Sequence, residues 1–481
     1  MTRTTSLALL LVLATAAAAG SARGQDNRPL AFTNVRLIPI SGPVIERGTL
    51  VVRHGKIEAL GAAVTLPPGA RVVDGTGKTL MPGLVSAWSR AGLQGQAQPR
   101  GEERMPQGRR GGRGEFPMPS SGGGGTSNRA ATKVVDGLYS KQTVFADLLQ
   151  VGVTSLALTP SGGGFPGLGA VLRPDGKTLE QLTRDDDAFV QVGMVRDSQT
   201  KKLLKETFEK AQKIVDERRK PPEKPAAPAT PAPATENKPA EAKTEPPKGT
   251  EPPKPEPKPE PKPEPKPEPK PEPKPETPPQ GPPSQPAARP QPAPKDPNLE
   301  VLADLLEGKR RAVVQIDSAA DLLHWQTAVA DTVKFPRALA MLRHDPTNGT
   351  VLEVLDQVKA WQCPVLLPPD MASQPRSRIL THPSKQLHDA GVELAFTVGE
   401  SPAQVRALFF RLIELVRYGL PADTALRAVT LVPAKILGIE GQVGSLEAGK
   451  EANLLLFRGE PLGADGQLES VWLAGQEVQK Q

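Results

Sequence analysis

The 481-residue chain holds one cysteine, Cys363, so it can form no internal disulfide, and its stability must come from a packed core or a bound ion. Aromatic residues make up only 4% and histidines number five, so a site built from several imidazoles has few residues to draw on. Past the N-terminus, no apolar run reaches the roughly 20 residues needed to cross a bilayer. Proline and glycine, by contrast, are abundant at 55 and 45 residues. That skew suggests a globular protein carrying unstructured segments, and the formal charge of +7 has to be located before it is interpreted.

The start of the chain, "MTRTTSLALLLVLATAAAAGSARGQ", has a basic Arg3, an apolar run from about Ser6 to Ala19 and small residues at Gly20, Ser21 and Ala22. This is the layout of a cleaved secretory signal over 1–24, too short for a membrane anchor. The mature protein is therefore expected to be exported, periplasmic or extracellular.

Two segments lack core-forming residues. The first, 94–129, includes "GRRGGRGEFPMPSSGGGGTSN", a glycine- and arginine-rich stretch expected to be disordered. Its arginines could attract an anionic surface, but export argues against nucleic acid as a partner. The second, 220–298, contains "KPEPKPEPKPEPKPEPKPEPKPE". Proline at alternate positions removes amide donors and keeps each preceding residue out of the α region, so an extended arm rising about 3.1 Å per residue is expected. Lysine and glutamate alternate along it, which makes the arm nearly neutral. Such repeats resemble the spacers of energy-transducing envelope proteins, and an envelope partner through this arm is one reading of its role.

Elsewhere the chain is patterned. Short alternating runs between glycine turns mark strands over 25–83, and "EANLLLFRGEP" and "SVWLAGQEV" repeat that style in 440–481. These two distant pieces are expected to form one small β-sandwich domain. Between them, 84–219 and 299–439 alternate apolar runs of strand length with helix-like stretches. The runs are 84–88, 154–159, 189–194, 312–317, 337–342, 364–369 and 393–398. Such runs, apolar throughout, suit a parallel sheet in an α/β fold. A closed barrel needs an eighth strand, for which 169–175 is the candidate. The glycine run "SGGGFPGLG" (161–169) lacks the lysine and helix of a phosphate cradle and is expected to be a turn after the second strand.

Several of these segments carry a family likeness. "VVDGTGKTLMPGLVSAWSR", "GVTSLALTPSGGGFPGLGAVLRPDG", "GVELAFTVGE", "VRYGLPADTALRAVTLVPAKILGIEGQVGSLEAGKEANLLLFRGEPL" and "ESVWLAGQEV" resemble the amidohydrolase superfamily, and most of all its imidazolonepropionase-like and dihydroorotase-like members. The resemblance implies a TIM-type (β/α) barrel plus a β-sandwich built from both termini. It also implies one or two divalent ions at the C-terminal strand ends, held by a His-x-His pair after strand one, histidines after strands five and six, and an aspartate after strand eight. Such an ion lowers the pKa of its bound water, and the aspartate moves the proton.

Here the family's pair falls on Trp88 and Arg90, an indole without an acceptor lone pair and a permanent cation. The fifth-strand position falls on Gln315 and the eighth-strand aspartate on Gly399. Only His344 stands where the resemblance places a ligand, and Asp317 and Glu400 could join it in a weak metal site. Ser86 and Ser89 have no histidine at a recognisable triad offset. His54, His324, His382 and His388 read as structural or surface residues, and Cys363 as a buried, inert thiol.

The leading expectation is an exported amidohydrolase-related protein that is a non-catalytic binding or structural subunit, with no cofactor. Arg90 then offers a cation to a small-molecule or anionic ligand. Pairing with an active related subunit would supply the missing chemistry. The first alternative is an active hydrolase of C–N bonds, using zinc or another divalent metal near His344. The second is an envelope scaffold that works through its Lys-Pro-Glu-Pro arm.

Overall fold

A computed structural model describes residues 28–93, 126–220, 295–329, 333–343, 350–374 and 377–479. Residues 1–27, which include the expected export signal, residues 94–125 of the glycine–arginine segment, residues 221–294 of the proline-rich arm and His344 lie outside them.

The alternation read in 25–83 becomes five strands: β1 (Leu30–Leu37), β2 (Ile45–Arg53), β3 (Lys56–Gly61), β4 (Arg71–Asp74) and β5 (Lys78–Pro82). The chain then enters the barrel with β6 (Leu84–Ser86), followed by the short β7 (Ser127–Asn128), helix α1 (Thr143–Gln150), β8 (Val153–Leu158), β9 (Gly164–Leu172), α2 (Leu179–Leu182) and β10 (Thr183–Gly193). Helices α3 (Ser198–Arg219) and α4 (Pro297–Leu306) flank the arm. Next come β11 (Ala312–Gln315), α5 (Ala319–Ala328), β12 (Arg337–Ala340), α6 (Leu355–Ala360), β13 (Val365–Leu367), the hairpin β14 (Ala372–Ser373) and β15 (Leu380–Thr381), α7 (Pro383–Asp389) and β16 (Leu394–Phe396). Helices α8 (Pro402–Arg417), α9 (Ala422–Arg427) and α10 (Leu431–Leu437) complete this part. The chain returns to the first sheet as β17 (Leu454–Arg458), β18 (Gln467–Leu473) and β19 (Gln476–Glu477).

The terminal strands form one sheet in the order β19-β18-β17-β5-β1-β2-β3, with β4 pairing β1. One face encloses Phe32, Leu37, Leu50, Leu80, Leu454 and Trp472, whose indole meets Phe32 edge-on at 5.1 Å. The other face sends Met81, Leu455, Phe457 and Val471 into the cluster that surrounds the barrel. Period-two alternation therefore buries both faces, each against its own cluster.

The barrel strands follow the order β16-β13-β12-β11-β10-β9-β8-β6. The last gap is stitched by the segment after α9: Phe396 N–H donates to Ala428 O at 2.7 Å, and Val85 N–H donates to Val429 O at 3.0 Å. One strand breaks the parallel rule, because β9 runs antiparallel to both β8 and β10. It is the eighth strand, and it begins at Gly164, so the run expected to be a turn is a turn only as far as Gly163. The glycines there answer to packing. A Cβ on Gly169 would lie 2.1 Å from the ring of Phe189, its cross-strand partner. The far edge of the expected disordered segment, at Ser127–Asn128, is β7, paired with β9.

Parity along the strands sorts the side chains. Val85, Ala157, Val171, Phe189, Val313, Ala340, Leu366 and Ala395 point inward and form one cluster, while Leu156, Val190, Val314 and Leu339 face the helices. Val432, Ile436 and Leu437 of α10, with Ile439 and Val443, join the inner cluster. Arg311, at the base of β11, donates to Lys435 O at 2.9 Å, which fixes α10 beneath the barrel.

Candidate functional site

The opposite end, where the parallel strands terminate, gathers the polar residues. After β6 the chain turns through Ser86 to Ala91. Ser86 Oγ donates to Trp88 O at 3.0 Å, Ala91 N–H donates to Ser89 Oγ at 2.9 Å, and Thr159 N–H donates to Ser89 O at 2.8 Å. Both serine hydroxyls therefore hold this turn in place. Trp88 is 9% exposed and belongs to the inner cluster with Val85, Ala157 and Val313, so its indole closes the top of the barrel core. Its place at the first strand end is where a metal-binding relative would present an imidazole.

Arg90 lies next to it. Its backbone N–H donates to Glu400 Oε1 at 2.5 Å, and its Nε is buried with no partner among the described residues. Burial pulls the guanidinium below its ordinary pKa; Glu400 and Asp317 oppose that shift and Arg343 adds to it. An arginine so placed stays charged at neutral pH. Gln315 Nε2 donates to Asp317 Oδ2 at 3.1 Å, while Asp317 Oδ1 is buried without a partner among the described residues. Asp317 and Glu400, two of the three weak candidates, thus gather around Arg90.

Gly399 sits at φ +111°, and a Cβ there would come 2.7 Å from Gln404 Cβ. An aspartate could take this position only after the backbone moved. With an indole, a guanidinium, a carboxamide and this glycine at the expected ligand positions, the described residues do not suit a divalent ion. Among them no group of three His, Cys, Asp or Glu side chains is arranged to hold one.

The sequence reading missed a set of residues just below this rim. Ser155 and Gln191 are 1% exposed and Thr159 is fully buried, and by strand parity all three point inward. Ser155 Oγ, Thr159 Oγ1 and both amide atoms of Gln191 have no partner among the described residues. Buried polar groups are seldom left unpaired, so these four atoms are the hydrogen-bonding capacity that the inner wall leaves unused among the described residues. The available signal was an isolated polar residue in phase with the inward-facing Ala157 and Phe189: Ser155 and Thr159 flanking the former, Gln191 two residues after the latter.

The other singled-out residues lie elsewhere. His382 caps α7, where Nδ1 accepts from Lys385 N–H and Nε2 faces Leu415 O, both at 3.0 Å. His324 Nδ1 on α5 lies 2.8 Å from Lys201 Nζ, His388 lies in the last turn of α7, and His54 occupies the β2–β3 turn at φ +51°. Cys363, ahead of β13, has its thiol pushed up to about 11, chiefly by burial.

Comparison with known proteins agrees with this architecture. The model of the amidohydrolase family matches residues 377–478. An amidohydrolase, tasK, of Hapsidospora irregularis is 24% identical over 185 residues, covering 38% of this chain and 19% of that protein. The chain thus spans about a fifth of the length of this curated relative. An amidohydrolase from Thermotoga maritima MSB8 superposes with a TM-score of 0.62 at 19% identity, over 94% of this chain and 100% of that one, and so shares the fold. A beta-aspartyl dipeptidase from Fervidobacterium islandicum AW-1 reaches a TM-score of only 0.48 at 12% identity, over 94% and 97% of the two chains, too loose a likeness to support any inference.

Proposed function

We propose that this protein, which matches the amidohydrolase family model over residues 377–478 and shares the fold of an amidohydrolase from Thermotoga maritima MSB8, is an exported, non-catalytic amidohydrolase-related protein that binds a small ligand with an anionic group at its barrel mouth. The observation that carries the reading is the replacement of a coordinating pair by Trp88, packed into the inner cluster, and Arg90, whose charge repels a dication. Catalysis in this superfamily needs a Lewis acid or a polarised water, and these side chains supply neither. They do supply a cation in a low-dielectric setting, where an anion's hydrogen bonds gain strength. The unpartnered Gln191, Ser155 and Thr159 give the ligand further polar contacts.

The test is elemental analysis of the purified mature protein, combined with a hydrolysis screen over dipeptide, hydantoin and dihydropyrimidine substrates. The expected outcome is less than about a tenth of an equivalent of zinc, manganese or iron, because too few donors remain for tight binding, and no turnover. Stoichiometric metal with turnover would establish the second reading, an active C–N hydrolase working through His344, Asp317 and Glu400. The unpartnered Oδ1 of Asp317 is the one observation in its favour.

A further inference from the structure

The outer face of α8 carries a feature for which the barrel has no use. Phe410 is 75% exposed, more than any other large hydrophobic residue among the described ones. It stands at the rim of a cavity of about 810 Å³ between α8, α1 and the β17–β18 pair. Val151, Phe409, Phe457, Leu468 and Val471 line the hollow, Phe409 and Phe457 meeting edge to face at 5.2 Å. Asp147 on α1 and Arg406 on α8 line it too, and neither side chain has an ion-pair or hydrogen-bond partner among the described residues.

A projecting ring, an apolar hollow beside it and one unpaired charge of each sign make this face complementary to itself. Twofold pairing sets residue i against j and j against i, so each feature meets its complement twice. We infer that this face is the contact between two copies of the chain. The Phe410 ring of each copy enters the cavity of the other, and Arg406 of each meets Asp147 of the other. A neutral apolar ligand in the cavity would desolvate both charges without compensating either, whereas a second copy compensates both. The same contact takes the most exposed aromatic ring out of water.

Sedimentation equilibrium of the full-length purified protein tests this, with a species of twice the chain mass expected at micromolar concentration. Phe410→Glu should weaken association by about 100-fold or more, as for a central aromatic anchor. Asp147→Arg and Arg406→Asp should each weaken it about tenfold, and the two together should restore it, because each charge again faces its opposite. All of these side chains lie outside the core, and far-UV circular dichroism checks that each variant is folded. A monomer at every concentration, a dimer indifferent to Phe410→Glu, or a charge-swapped double variant no tighter than the single ones overturns the inference. So does a monomer that native mass spectrometry finds carrying a bound small molecule or peptide released by Phe410→Glu.

Discussion

Gly399 shows how one backbone angle can fix what a strand end is able to become. With φ at +111° and Gln404 Cβ in the way, the position cannot accept an aspartate without rearrangement of the turn. Gly399→Asp should cost about 1–3 kcal/mol, the usual range for a side chain forced into a disfavoured conformation. Urea denaturation would measure the loss, and Gly399→Ala should show a loss of the same size, since the strain starts at Cβ. A carboxylate variant as stable as the parent would mean that the turn relaxes freely. Trp88, Arg90, Gln315 and Gly399 were singled out in the sequence through the family resemblance, and the structure places them at the ends of β6, β11 and β16 or in the turns just after. The burial of Trp88 among Ala157 and Val313 was not legible, nor was the absence of partners around Gln191. Both depend on what the rest of the barrel wall presents, and that wall is contributed by residues distant in the sequence, Ala157 and Val313 among them.

At the scale of elements, the seven parallel strands followed from their apolar runs, whereas β9 was anticipated only in its second half, by the candidate 169–175. Its glycines read as a turn because sequence patterns register conformational freedom, and here glycine serves close approach: Phe189 lies over Gly169 where any side chain would collide. The closing hydrogen bonds from Val85 and Phe396 to the 428–429 segment were equally invisible, since they are made by backbone atoms that any residue would supply. The interruption of the barrel by the proline-rich arm has a clear structural basis. Arg218, near the end of α3, pairs with Glu300, Asp304 and Glu307 on or just after α4, and these contacts raise its pKa above the ordinary guanidinium value. The two bases of the arm are thereby clamped. Replacing 221–294 by a linker about one-eighth as long should leave unfolding cooperative and raise stability by no more than about 2 kcal/mol, three doublings of loop length at about 0.6 kcal/mol each. Thermal and urea unfolding would check this, and a large loss would give the arm a structural part in the fold.

For the molecule as a whole, acid stability should depend on one junction between the ends of the chain. Hydrogen bonds, the largest from Ser445 and others from Ser41 and Lys450, hold the Glu447 carboxyl down to about 2, well under its ordinary 4.5. A carboxyl with a lower pKa folded than unfolded stabilises the fold at pH values above 4.5 and loses that contribution as the pH falls towards 2. Glu447→Gln should therefore melt below the parent at neutral pH, with the gap closing across that window in melts recorded at a series of pH values. A gap independent of pH would exclude this role. The helix seated beneath the barrel bears on traffic through it. Val432, Ile436 and Leu437 fill the lower end of the inner cluster, so a ligand of the kind proposed could enter only from the rim, past the Trp88 indole. A guest with a bulky tail would thus leave that tail in solvent, where a tether or fluorophore could be attached without disturbing the head.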